Sequence, residues 1–205
     1  YLPPELDTLL SARDAAARQR GEALLLQVTA RYAQALHNGR LRLDQFTAEW
    51  ARRPARFDAA AELRQAIAQD RLQPWLAALP PPSPRYAELR SALSRYEALA
   101  AAGGWNALAA GPALKIGADD PRVPDLRRRL AVEDTNVPAG SGTLYDAALA
   151  EAVSTFQARH GLDPDGVVGP ATLAELNVPV EARLDQIRMN MERRRWASRV
   201  EAPER

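Results

Sequence analysis

Apolar residues recur every three or four positions along most of the chain, and the strict alternation expected of a β-strand is nearly absent. This spacing puts the apolar side chains on one face of a helix. The clearest stripe in the first half of the chain consists of Leu25, Val28, Tyr32 and Leu36. The pair Asn38-Gly39 is predicted to end that helix, because both residues tolerate the left-handed conformation beyond a last helical turn. The pattern predicts an all-α fold.

Capping residues predict where other helices of the first half begin. Asp58 precedes a segment that carries Leu63 and Ile67, and its carboxylate is suited to accept the unpaired N–H groups of a first turn. The run Pro80-Pro81-Pro82-Ser83-Pro84 is a stiff break, since successive prolines do not continue a helix. Within it, Ser83 is predicted to cap a helix that starts with Pro84. Two shorter helical faces are also predicted. Leu6, Leu9 and Leu10 form one, and Phe46 and Trp50 form the other.

A second compositional unit starts near residue 114. It is predicted to hold a short helix with Leu126 and Leu130, a longer helix, and a closing helix from Pro170 to Leu176. Thr143 is predicted to cap the longer helix, with Asp146 three residues further on. The buried stripe of the longer helix is predicted to be Tyr145, Leu149, Val153 and Phe156.

The last predicted helix follows Pro179 and carries Val180, Leu184, Ile187 and Met191 at helical spacing. It is also rich in arginine: Arg183, Arg188, Arg193, Arg194, Arg195 and Arg199. A solvated face is the favoured interpretation of these charges, and contact with an anionic polymer or with lipid headgroups is the alternative. Ile187, Met191 and Trp196 need something to cover them, and we expect a neighbouring domain to do so.

Polar residues concentrate where the predicted helix 143–160 ends and a turn follows. Gln157 adjoins the apolar stripe, and its amide can both donate and accept hydrogen bonds. His160 lies about one turn further on, Asp165-Gly166 is typical of a tight turn, and Thr172 lies in the first turn of the next helix. Together with the family resemblance given below, these polar groups predict a ligand-binding rim formed by Gln157, His160, Asp165, Gly166 and Thr172. The alternative, that these residues serve only capping and turn formation, stays open.

The same stretch does not have the pattern of a metal site. The string Asp163-x-Asp165-Gly166 is faintly like a calcium loop, but the first and twelfth ligand positions fall on Gly161 and Thr172. His160 with two aspartates gives too few well-placed ligands for zinc. We expect no metal ion and no cofactor.

Composition narrows the classes of function. The net charge of +1 lacks the strong basic excess of electrostatic nucleic-acid binders, so no nucleic-acid partner is expected. No apolar run approaches the roughly 20 residues that span a bilayer. The 205 residues contain no cysteine, which excludes a thiol nucleophile and a disulfide within them. We find no phosphate loop, dinucleotide fingerprint or nucleophile motif, and we assign no catalytic residue.

Three stretches of the chain carry a family resemblance. The first is 144–177, with Phe156-Gln157, His160-Gly161-Leu162, Asp165-Gly166 and Gly169-Pro170. The second runs from Tyr86 to Trp105, after Pro84, and is followed by Leu114-Lys115-Ile116-Gly117 and Asp120-Pro121-Arg122-Val123. The third runs from Leu176-Asn177-Val178-Pro179 to Trp196. In this order they resemble the large periplasmic L,D-transpeptidases of Gram-negative bacteria.

The resemblance implies a domain organisation. It implies a helical scaffold domain at 1–112, a small three-helix peptidoglycan-binding domain at 113–178, and a linker helix at 179–205 toward a catalytic domain. In that family the catalytic domain crosslinks peptidoglycan stems through a cysteine, and these residues contain none. The resemblance therefore implies the non-catalytic front part of an exported, periplasmic enzyme. Its partners would be peptidoglycan and its own downstream catalytic domain.

Other functions stay open at this point. The main alternative is a helical structural or protein-interaction module of a cell-wall protein, with no glycan binding of its own. A DNA-binding protein that uses residues 180–199 is disfavoured by the near-neutral charge. Glycan hydrolysis is disfavoured because no Asp or Glu lies in a motif that singles it out.

Overall fold

The computed structural model describes residues 2–40, 57–137 and 140–197. The helices are α1 (Leu6–Leu10), α2 (Ala15–Asn38), α3 (Ala59–Ala68), α4 (Leu72–Ala78), α5 (Pro84–Ala101), α6 (Val123–Ala131), α7 (Ala147–Arg159), α8 (Pro170–Leu176) and α9 (Val180–Ala197). The described ranges contain no strand beyond two isolated antiparallel bridges, Leu114 to Val168 and Asp119 to Leu144. The all-α prediction is confirmed. The predictions for Phe46, Trp50 and Arg199 lie outside the described residues.

Contacts within the chain define two compact units. Unit 1 consists of residues 1–93 and 186–205, and unit 2 consists of residues 94–185. The predicted peptidoglycan-binding domain at 113–178 lies wholly within unit 2. The predicted domain limits themselves stay a prediction. Across the three described ranges, no helix combines the length and the apolar composition needed to cross a membrane.

In unit 1, helix α2 meets α1 at a glycine and not along the predicted apolar stripe. Gly21 is buried, and a Cβ built on it would lie 2.9 Å from the Cβ of Leu9. Only glycine permits this close approach. Small Ala33 is also buried, whereas Leu25 and Tyr32 are 39% and 53% exposed. The stripe is therefore wrong as a buried face at Leu25 and Tyr32.

The helix ends of unit 1 follow the predicted capping. Gly39 adopts a φ of 82° and ends α2 after Asn38, as the sequence indicates. The Asp58 carboxylate accepts the Ala61 N–H at 2.9 Å. The Ser83 hydroxyl oxygen accepts the Tyr86 N–H at 3.1 Å at the start of α5. The predicted local capping groups are thus present at these three boundaries.

The end of α9 is covered within unit 1. Met191 and Trp196 are buried. The Trp196 indole donates to the Asn38 carbonyl at 2.9 Å, and the Glu192 carboxylate accepts the Arg40 N–H at 2.7 Å. The expectation that a further domain must cover Met191 and Trp196 is wrong, because this chain already buries both.

Candidate functional site

The core of unit 2 fixes the position of helix α7. Its most deeply buried members are Leu114, Val123, Leu126, Tyr145, Leu149, Val153 and Leu176. The predicted stripe Tyr145, Leu149, Val153 and Phe156 is buried throughout. Burying one such side chain stabilises the fold by about 1.5–3 kcal/mol. The stripe therefore determines which side chains of α7 face the rest of unit 2.

Helix α7 starts later than predicted. Asp146 caps it, and its carboxylate accepts the Leu149 N–H at 2.8 Å. Residues 143–145 are extended and pair with 117–120 instead. The predicted cap at Thr143 is wrong, because this pairing holds Thr143 outside the helix.

Gln157 lies at the centre of the predicted rim and is only 2% exposed. Its Nε2 donates to the Asp165 carboxylate at 2.8 Å and to the Thr172 hydroxyl at 3.0 Å. The same nitrogen lies 3.0 Å from the Val167 carbonyl oxygen. Its Oε1 accepts the Gly166 N–H at 2.8 Å. The amide therefore joins α7 to the turn at 165–167 and to the first turn of α8.

The turn itself requires glycine at position 166. Gly166 has a φ of 69°, and a Cβ on it would lie 3.0 Å from the Ala150 carbonyl oxygen. Its own carbonyl accepts the Tyr145 hydroxyl at 2.7 Å. Burial, with a smaller contribution from the nearby Asp165 charge, raises the pKa of Tyr145. The Tyr145 hydroxyl therefore keeps its proton and remains a donor to the turn. A further bond, from Ser154 Oγ to the Pro164 carbonyl at 2.9 Å, holds the turn to α7.

Asp165 is the exposed member of the five predicted site residues, and His160 is partly exposed. Asp165 Oδ1 accepts the Val167 N–H at 2.8 Å in addition to the Gln157 amide. The Val167 bond first, and the Gln157 bond second, lower the pKa of Asp165. The carboxylate is therefore ionised, and it is held in a fixed orientation at the surface.

His160 belongs to a separate set of contacts. Its Nδ1 lies 2.8 Å from Glu175 and its Nε2 lies 2.9 Å from Glu133. Its ring is tilted against Phe156, with ring centroids 4.2 Å apart. Each ring nitrogen is therefore within hydrogen-bonding distance of a different carboxylate. The ring thereby links the end of α7 to residues after α6 and within α8.

Two buried arginines complete this charged set. Arg129 donates to Glu133 at 2.9 Å and Arg183 donates to Glu175 at 2.7 Å. Burial alone would raise the pKa of Glu133, but the His160 hydrogen bond and the Arg129 charge outweigh it and hold that pKa at about 2. The pKa of Glu175 is also lowered, because Arg183 and His160 outweigh its burial. Both carboxylates are therefore ionised at neutral pH.

Residues that precede position 119 also belong to unit 2. Asn177 accepts the Leu108 N–H at 2.8 Å and donates to the Leu108 carbonyl at 3.0 Å. The Trp105 indole donates to the Val178 carbonyl at 3.1 Å. The Arg129 guanidinium lies 4.0 Å from the centroid of the Trp105 ring. These contacts hold 105–108 against the end of α8 and against α6.

The structure thus brings four of the five predicted residues together and places His160 elsewhere. Gln157, Gly166 and Thr172 are buried, and Asp165 is exposed. A role in ligand binding stays a prediction for all five. Sequence reasoning missed Tyr145 as a partner of the turn and Glu133 and Glu175 as partners of His160. The four-residue spacing between Arg129 on α6 and Glu133, just after that helix, was the available local signal for the charged set.

Comparison with known protein families gives an independent description of both parts of the chain. A family model described as "Scaffold domain" matches residues 2–93. A second, described as "Putative peptidoglycan binding domain", matches residues 119–176. No curated protein matches the chain. The chain combines a scaffold domain with a peptidoglycan-binding domain, and peptidoglycan binding associates it with the cell wall.

Proposed function

We propose that this chain is the peptidoglycan-binding and scaffold portion of a periplasmic L,D-transpeptidase that takes part in cell-wall crosslinking. The observation that carries the proposal is the order of the matched domains, a scaffold domain followed by a peptidoglycan-binding domain. The motifs from residue 84 to Trp196 support the same family. The nucleophilic cysteine of such an enzyme would lie in a catalytic domain outside these 205 residues.

The binding domain would act by raising the local concentration of substrate. A weak binding unit tethered to an enzyme holds the polymer near the catalytic domain and increases the frequency of encounter. This role needs only modest affinity, because the polymer offers many identical repeats. It also assigns no bond-making step to any residue of this chain.

We place ligand contact on the exposed side of the turn 163–172. Peptidoglycan offers amide N–H groups, on its N-acetyl sugars and on its stem peptides, and hydroxyl groups. The Asp165 carboxylate is exposed and anionic, and its Oδ1 is already used within the turn. Oδ2 is then the oxygen that accepts from the polymer. Gln157, Gly166 and Thr172 would support this turn from inside, and His160 would hold the end of α7 beside it.

Retention on purified sacculi tests this proposal with a matched pair of variants of the full chain. Asp165→Asn keeps an oxygen acceptor for Val167 and removes the charge that would face the polymer. A hydrogen bond to a charged group contributes about 1.5–3 kcal/mol, so we expect retention to weaken about tenfold or more. Asp119→Asn makes the same charge change on an exposed aspartate of unit 2 that lies outside this turn, and it is expected to retain wild-type binding.

Two results would contradict the binding proposal. The first is recovery of the wild-type chain entirely in the supernatant at low and moderate salt. The second is equal retention of the two variants, which would remove Asp165 from the contact. A helical interaction module without glycan binding predicts the first result.

The transpeptidase part is tested separately by the reading frame that encodes this chain. We expect the frame to continue into a domain with a histidine and a Ser-x-Gly-Cys element. A frame without these elements would exclude a transpeptidase parent and would leave peptidoglycan binding untouched.

A further inference from the structure

The Gln157 side chain is a buried, uncharged amide whose two polar atoms both bond to groups inside the protein. We propose that Gln157 is a positioning residue of the peptidoglycan-binding turn and not a ligand contact. Its carboxamide sets the conformation in which Asp165 meets the polymer. This inference rests on the proposed function.

Burial is the first argument. Gln157 is 2% exposed and Thr172 is 4% exposed, so a rigid polymer does not reach either side chain in this conformation. Both polar atoms of the Gln157 amide already have protein partners, Nε2 with three acceptors and Oε1 with one donor. A ligand contact would require the amide to give up bonds that the turn needs.

The second argument is that the site accepts only an amide. The Gly166 N–H needs an acceptor, while Asp165, Val167 and Thr172 present oxygens to one nitrogen. A glutamate would bring an oxygen where a donor is required, beside the Asp165 carboxylate. A leucine of similar size would leave the buried Gly166 N–H without a partner, at a cost of about 1–3 kcal/mol.

The third argument is that the Gln157 amide fixes the orientation of the Asp165 carboxylate. Asp165 Oδ1 is held between the Gln157 amide at 2.8 Å and the Val167 N–H at 2.8 Å. These two bonds select one orientation of the carboxylate and therefore the direction of Oδ2. A surface group that is oriented before binding loses less conformational entropy when the ligand arrives. Gln157 would thus raise affinity without touching the polymer.

The experiment compares full-chain Gln157→Leu and Gln157→Glu with the wild type. Three quantities are measured: retention on sacculi, hydrogen exchange of the Gly166 amide by NMR, and helical content by circular dichroism. For Gln157→Leu we expect about tenfold faster exchange at Gly166 and about tenfold weaker retention, with helical content unchanged. Ser154→Ala, which removes a single bond to the same turn, is the control and is expected to keep at least half of the wild-type retention.

Gln157→Glu provides a readout that a simple packing role would not change. A buried carboxyl beside Asp165 has a raised pKa, and its protonated form regains an O–H donor. Retention of this variant should therefore be poorest at neutral pH and should recover partly at about pH 5. The wild type is measured over the same range, and its own change is subtracted.

The outcomes separate this inference from the proposed function. A wild-type chain that does not bind sacculi contradicts the proposed function. A variant that binds like the wild type despite fast Gly166 exchange contradicts the positioning role alone. Weaker retention with unchanged Gly166 exchange would make Gln157 a direct contact, which also overturns the inference. If both Gln157 variants lose their helical content, Thr172→Val is used, and unchanged retention and exchange there would count against the inference.

Discussion

Two polar clusters are built on helix α7 from residues only three positions apart. In the amide cluster, Gln157 holds the turn formed by Asp165, Gly166 and Val167, together with Thr172. In the charged cluster, His160 links Glu133 and Glu175, which are paired with Arg129 and Arg183. The amide cluster presents an exposed turn, whereas the charged cluster joins helix ends. One helix therefore serves a surface turn and an internal junction at once.

The two clusters differ in whether their central groups ionise, and they should therefore respond differently to a change of pH or of charge. A neutral amide has no ionisation step, so Gln157 donates and accepts at any pH at which the protein is folded. The charged cluster depends on two ionised carboxylates that burial disfavours and that neighbouring cations stabilise. Perturbations that change charge should therefore affect the junction more strongly than the turn.

The largest expected effect is on the charged cluster, from Arg129→Met. Arg129 has a side chain that is 1% exposed, donates to Glu133, and donates through Nε to the Leu176 carbonyl at 2.8 Å. Its removal leaves a buried carboxylate with one partner fewer. Breaking such a pair costs about 3–5 kcal/mol, to be measured by urea unfolding of the full chain.

The matched control for this change is Arg128→Met. Arg128 is the next residue on α6 and is 77% exposed, so its pairing with Asp125 is worth about 0–1 kcal/mol. Equal loss of stability in the two variants would show that the charged cluster does not hold the junction.

The second largest expected effect is the loss of folding stability when acid protonates the carboxylates of the charged cluster. Glu133 has its pKa lowered from an ordinary 4.5 to about 2, and the pKa of Glu175 is lowered as well. A lowered folded-state pKa gives stability that is fully present above the unfolded value and is lost as pH falls from about 4.5 toward about 2. We expect this loss to be on the order of 2 kcal/mol for Glu133, after allowance for solvent screening.

Urea unfolding of the wild type and Glu133→Gln at several pH values measures this contribution. The two proteins should differ most near neutral pH and converge as Glu133 is protonated in acid. Glu151→Gln, which changes an exposed carboxylate on α7, should track the wild type throughout. A gap between wild type and Glu133→Gln that stays constant down to about pH 2 would contradict the ionic account.

Much of the fold could be predicted because its signals are local. The bounds of α8 coincide with the prediction, since Gly169-Pro170 opens the helix whatever surrounds it. Asn38-Gly39 ended α2 for a similar local reason. The buried stripe of α7 followed from its period alone. In each case the decisive residues are neighbours in sequence.

The sequence-based predictions were wrong where contacts with distant segments determine the local structure or the burial of a side chain. Thr143 lost its role as a cap because 143–145 pair with 117–120, and no local pattern reveals that pairing. The exposure of Leu25 and Tyr32 depends on the contact between Gly21 and α1. Gln157 could be recognised as polar and adjacent to the stripe, but its burial depends on partners 8 to 15 residues away.

The smallest expected effect is on the amide cluster, from Gly166→Ala. An alanine there must adopt a φ of 69° and place its Cβ 3.0 Å from the Ala150 carbonyl oxygen. Such strain costs about 1–2 kcal/mol and should also weaken retention on sacculi, because the turn moves away from Gln157. Gly142→Ala is the control, since a Cβ at that glycine meets no other atom within 4 Å. If thermal unfolding and retention were the same for both variants, the turn would not need the conformation in which Gln157 holds it, and the contrast between a preorganised turn and a charged junction would fail.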